Sequence, residues 1–115
     1  MTTAEDLARR HVDAFNEGDA DRLLADFTPD ATWVTGDYSA PAGELQEFFR
    51  GAMRSLRPRL TLHRVIDGGR AIAVEMTERW THENETRTAA LVAVLDIADG
   101  LISGAKIYRE GSSEP

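Results

Sequence analysis

The chain has 115 residues, with 13 Lys and Arg set against 20 Asp and Glu, a formal net charge of -7. That length holds one packed sheet with a few helices and no second domain, and the carboxylate surplus repels phosphate backbones and anionic lipid, so no nucleic acid and no membrane partner is expected. With no Cys and 3 His, disulfides and thiolate nucleophiles are excluded, no metal cluster is expected, and no cofactor is implied.

Three helices come first. Thr2 or Thr3 caps the first, with Glu5 or Asp6 as the returning carboxylate of a capping box. Its apolar stripe is Leu7, Ala8, His11, Val12, Ala14 and Phe15, and Asn16-Glu17-Gly18 ends it. Asp19 caps a short second helix carrying Leu23, Leu24 and Phe27, which Thr28-Pro29-Asp30 terminates. A brief strand, Ala31 to Thr35, follows. Ser39 and Pro41 mark the start of a third helix, whose Leu45, Phe48, Phe49, Ala52, Met53 and Leu56 form one continuous apolar face before Pro58.

Beyond Pro58 the hydrophobic period changes to two. The pattern predicts four strands, Arg59–Asp67, Arg70–His82, Glu85–Ala98 and Leu101–Arg109, joined at Gly68-Gly69, Glu83-Asn84 and Asp99-Gly100. Gly-Gly and Asp-Gly suit two-residue hairpin turns, whose central residues need positive φ, and Glu-Asn suits them less well, so the strands form an antiparallel meander. Residues 1–110 make the single domain and 111–115 a flexible tail. No segment approaches the ~20 apolar residues of a membrane span and the N-terminus lacks a basic, apolar leader, so a cytoplasmic location is expected.

Strict alternation from those turns sorts the side chains onto two faces. One carries Leu60, Leu62, Arg64, Glu75, Thr77, Arg79, Val92, Val94, Asp96, Ala105, Ile107 and Arg109; the other carries Val65, Ile72, Val74, Met76, Trp80, Leu91, Leu95, Ile102, Lys106 and Tyr108. The second is drier, which places it under the helices. In the reverse arrangement the polar-speckled face lines a pocket and the dry face is covered by another copy of the chain.

The run from His11 to Trp33, with Asn16-Glu17-Gly18-Asp19 and Phe27-Thr28-Pro29-Asp30-Ala31, resembles the opening of the nuclear transport factor 2-like superfamily, and Gly43 followed by Phe48-Phe49 resembles its third helix. The Asp99-Gly100 turn and the closing Tyr108-Arg109-Glu110 are similar to the end of SnoaL-type cyclases and limonene-type epoxide hydrolases. The resemblance implies an α+β fold in which a curved antiparallel sheet wraps three N-terminal helices, a cone with an internal pocket. It also selects the reverse arrangement of the faces. It implies a homodimer through the convex face (Val74, Met76, Trp80, Leu91, Leu95, Tyr108) and a hydrophobic small molecule as the partner in the pocket.

Residue by residue, Glu78-Arg79-Trp80-Thr81 resembles the arginine strand of limonene-type epoxide hydrolases, with Thr81 and Ile107 where those enzymes have acids, and Trp33 and Thr35 at their Tyr and Asn positions. Against ketosteroid isomerase, His11 stands at the Tyr, Thr35 at the Asp base and Val92 near the protonated Asp. The catalytic candidates are therefore His11, Glu75 and Arg79: a carboxylate and an imidazole as complementary acid and base, and a guanidinium for a developing oxyanion. Phe15, Trp33, Thr35, Phe48, Phe49, Thr77, Val92, Val94, Ala105 and Ile107 are the substrate-binding candidates. Two functions follow: a cofactor-free isomerase, cyclase or epoxide hydrolase-like enzyme acting on a hydrophobic oxygenated metabolite of polyketide, terpene or steroid type, or a non-catalytic ligand-binding or dimerisation module.

Overall fold

The computed structural model describes residues 3–35, 38–41, 43–55 and 58–110; the expected tail at 111–115, the alternative cap Thr2 and Leu56 of the third helix lie outside them. Helix α1 (Ala4–Glu17) opens on a full capping box, Thr3 accepting from the Asp6 backbone and Asp6 from that of Thr3. It closes on Gly18, whose φ of 70° satisfies the last carbonyls in a left-handed cap. Two side chains tie this helix to the strands. Arg10 grips Asp26 through two hydrogen bonds of 2.9 and 3.1 Å. The Asn16 amide donates to the Leu60 carbonyl at 2.9 Å and accepts from the Leu60 N–H at 2.7 Å, acting as a short piece of strand.

Helix α2 (Ala20–Leu24) is capped by Asp19 and shorter than its apolar stripe suggests, because Phe27 belongs to strand β1 (Phe27–Thr35) instead. The expected start at Ala31 is thus too late. Strand β1 lies parallel to the last strand with a register irregularity between Phe27 and Thr32, and that break accommodates Pro29, which cannot donate to a ladder. A three-residue strand, β2 (Tyr38–Ala40), pairs antiparallel with β1 and was not foreseen from the sequence. Helix α3 (Leu45–Ser55) begins only after it.

The remaining strands, β3 (Arg59–Asp67), β4 (Ala71–His82), β5 (Glu85–Ala98) and β6 (Leu101–Arg109), begin and end within one residue of the predicted positions. Glu83 and Asn84 (φ 52° and 65°) and Asp99 and Gly100 (φ 53° and 79°) make the two tight turns with positive φ at both centres. The open six-stranded sheet runs β2-β1-β6-β5-β4-β3. It is curved, and with the helices it makes an α+β fold.

The helices cover the dry face. Ile72, Val74, Met76 and Trp80 of β4, and Leu91, Ala93 and Leu95 of β5, are buried together with Leu7, Val12, Phe15 and Phe49 from the helices. The reverse arrangement is therefore corrected. Val74, Met76, Trp80, Leu91 and Leu95, assigned above to a convex dimer face, are interior; only Tyr108 of that set is exposed.

Two bulges explain the mixing of faces. The β3–β4 register slips between Leu62 and Arg64, and the β5–β6 register slips where Ser103 is inserted. Each extra residue flips the alternation on one side of it. Leu60 thus joins the interior on β3, and Ala105 and Ile107 join it on β6, whereas Lys106 and Tyr108 turn outward.

Candidate functional site

Between the helices and the inner face lies a cavity of about 280 Å³ lined mostly by apolar and aromatic side chains. Helix α1 contributes His11 and Phe15, β1 contributes Trp33 and Thr35, and α3 contributes Phe48, Phe49 and Ala52. The walls opposite come from Leu60, Met76, Glu78, Trp80, Leu91, Ile107 and Arg109. The aromatic side is built by packing: Phe49 meets Trp33 edge-on at 4.8 Å, and Phe48 meets Phe49 at 5.1 Å and stacks on Tyr38 at 5.2 Å.

The charged end is the pair Glu78 and Arg109, joined at 2.8 Å with side chains 16% and 12% exposed. They come from strands separated by β5, and only the Ser103 bulge turns Arg109 inward. The Arg109 guanidinium lies 5.4 Å from the centre of the Trp80 ring, a cation–π contact that fixes its plane. Arg109 Nε and Trp80 Nε1 are buried without a hydrogen-bond partner among the described residues, as is His11 Nδ1. Unmatched buried polar atoms of this kind cost about 1–3 kcal/mol each.

His11 lies against Trp33 and Phe27, with ring centres 6.0 Å away in each case. Burial lowers its pKa to about 4, with the Asp26 charge pulling the other way, so the imidazole is neutral near pH 7. The unfolded chain takes up this proton near pH 6.5 and the folded chain does not until about 4. The corresponding stability is therefore complete above about pH 7 and is lost as pH falls toward 4. Thermal melts from pH 7.5 down to 5 should show a loss of about 2 kcal/mol in the wild type that is absent in His11→Phe; equal slopes would place the proton elsewhere.

The predicted residues divide sharply. His11, Phe15, Trp33, Thr35, Phe48, Phe49 and Ile107 share the cavity, and Ala105 is packed in the core. Glu75, Arg79, Thr77, Val92 and Val94 lie on the opposite face of the sheet. There Glu75 is 45% exposed and pairs loosely with Arg64 at 3.4 Å, Arg79 is exposed, and Thr77 bonds His63 at 2.6 Å. Missed were Ala52, Pro58, Leu60, Met76, Glu78, Trp80, Leu91 and Arg109. Glu78 had a legible signal: a single carboxylate at the parity of Ile72, Val74, Met76 and Trp80, all apolar. Arg109 had a fainter one: it shares the parity of Ile107, and Gly104, a glycine inside the strand beside Ser103, marks the bulge that turns both inward.

An open curved sheet folded over three helices, with a cavity between, defines the nuclear transport factor 2-like architecture. The chain belongs to the SnoaL-like domain family, which matches residues 8–105. No curated protein matches the sequence. Among solved structures it is similar to a nuclear transport factor 2-like protein of unknown function from Burkholderia pseudomallei, at 21% identity and a TM-score of 0.83 over 96% of this chain and 92% of that one. An LEH-like epoxide hydrolase of M. tuberculosis is 18% identical with a TM-score of 0.81, over 93% and 82% of the two chains. TerC, crystallised with polyporic acid, is 19% identical with a TM-score of 0.82, over 93% and 91%. No helix among the described residues is long and apolar enough to cross a membrane.

Proposed function

We propose that this chain binds a mostly apolar, oxygen-bearing small molecule of polyketide, terpene or steroid type in the cavity and moves a proton on it without a cofactor. Glu78 is the base that takes a proton from carbon beside a carbonyl, and Arg109 faces the oxygen on which the charge collects. The C–H bond breaks, its electrons delocalise to oxygen as an enolate, and Glu78 returns the proton at the same carbon or, where a conjugated double bond extends the enolate to a dienolate, at the γ carbon. Isomerisation and aldol ring closure both begin with that step. The observation that carries the reading is the Glu78–Arg109 pair, 2.8 Å apart and nearly buried, at the wall of an otherwise apolar cavity. A base and an oxyanion partner in an apolar, aromatic enclosure are what such chemistry requires.

The test is deuterium uptake by β-tetralone in heavy water, followed by proton NMR, with binding measured separately by calorimetry. The wild type should bind and accelerate exchange at the carbon beside the carbonyl. Glu78→Gln should keep binding and lose about a hundredfold or more of the acceleration. Glu75→Gln, on the outer face, should match the wild type. Binding without any exchange would identify a ligand-binding module instead.

A further inference from the structure

We propose that the cavity accepts uncharged, oxygen-bearing molecules and rejects carboxylates and ammonium ions of the same shape, with the Glu78–Arg109 pair setting this preference, Glu78 against carboxylates and Arg109 against ammonium ions. The inference deepens the small-molecule reading above and rests on it.

Among the cavity's lining residues, Glu78 and Arg109 are the two that carry full charge, and at 2.8 Å they cancel. Their side chains are shielded from water, so each charge acts on a nearby ligand with little screening. A ligand carboxylate seeks Arg109 and meets the Glu78 carboxylate already there. An ammonium seeks Glu78 and meets the guanidinium. A ketone or hydroxyl carries no net charge and avoids both repulsions. His11, kept neutral by its burial, adds no compensating charge. Rejection of this kind is specificity by built-in repulsion rather than by added attraction.

The selectivity should therefore move with the charge of one side chain. Glu78→Gln keeps the shape and frees the positive charge of Arg109; Arg109→Gln frees the negative charge of Glu78. Calorimetry near neutral pH with adamantyl methyl ketone, adamantanecarboxylate and adamantylmethylammonium reads this directly, with isopropenyladamantane as the oxygen-free isostere. The wild type should bind the ketone at least about tenfold more tightly than either ion and more tightly than the hydrocarbon. Glu78→Gln should gain about tenfold or more for the carboxylate, and Arg109→Gln the same for the ammonium. Both tryptophans of the chain, Trp33 and Trp80, line the cavity, so a shift in their emission locates the binding.

Ketone and carboxylate binding within about twofold of each other in the wild type would overturn the selectivity while leaving the cavity reading intact. No binding of any probe, with unchanged tryptophan emission, would overturn both. If one variant fails to fold, as its melting curve would show, the other variant and the wild-type comparison still decide the matter: an unchanged preference in the folded variant sinks the proposal.

Discussion

Arg109→Met should lower stability by about 3 kcal/mol, and Glu78→Leu by a similar amount, yet the double variant should lie within about 1 kcal/mol of the wild type or above it. Each single change strands one charge in a wall where its side chain is no more than 16% exposed, and a buried charge without its partner is costly. Removing both leaves an apolar patch continuous with Leu60, Met76, Leu91 and Ile107, which can pack as an ordinary core. The loss of the Arg109–Trp80 contact takes back about 0.5–1 kcal/mol of that gain. Urea denaturation of the four proteins closes the cycle; a double variant as unstable as either single would show that the pair stabilises the fold on its own account, and one as unstable as the sum of the singles would show that the two side chains do not interact. The expected result separates stability from use. A pair that the fold does not need for stability, held across three strands at the edge of a cavity, would fit the role proposed for it above.

The strand boundaries were legible because turn chemistry is local. Glu83-Asn84 and Asp99-Gly100 both adopt positive φ at two successive residues, a demand that few dipeptides meet, and so each marks its strand ends without help from the rest of the molecule. The first helix was legible for the same reason, its capping box and left-handed Gly18 being written within a few residues of each end. Strand β2 and the early start of β1 were not, since a three-residue edge strand and a strand containing Pro29 take their form from the neighbours they pair with.

The site was legible only where faces could be counted correctly. His11, Phe15, Phe48 and Phe49 follow from helical stripes, and Trp33 and Thr35 from a short uninterrupted strand. The sheet residues depend on parity, and the slips near His63 and at Ser103 reverse it, with Gly104 beside Ser103 as a faint local mark. The family resemblance then favoured the polar-speckled face as the pocket, which placed Glu75 and Arg79 inside. The pocket instead belongs to the drier face, and the chemistry proposed for it rests on one charged pair among apolar neighbours. A lone carboxylate on an apolar strand face is a better indicator of a site than a face rich in polar residues, because burying it without a purpose is costly.

Phe49→Ala should be the most damaging single truncation of the aromatic wall, costing about 4 kcal/mol out of the 5–15 kcal/mol that holds a domain of this size together. The Phe49 ring is fully buried and contacts Trp33, Phe48 and Phe27 at 4.8, 5.1 and 6.1 Å between centres. It joins α3 to β1 and so holds the helical lid on the sheet. A drop in Tm of about 15–20 °C is the expected reading for a domain of this size. Phe48→Ala, at a half-buried position, should cost less than half as much, while weakening ligand binding because the ring faces the same cavity. A loss below about 2 kcal/mol for Phe49→Ala would mean that the wall can collapse onto the gap. The aromatic side of the cavity would then be compliant rather than preformed, and the shape of the ligand would be set by the opposite wall, where Glu78 and Arg109 stand.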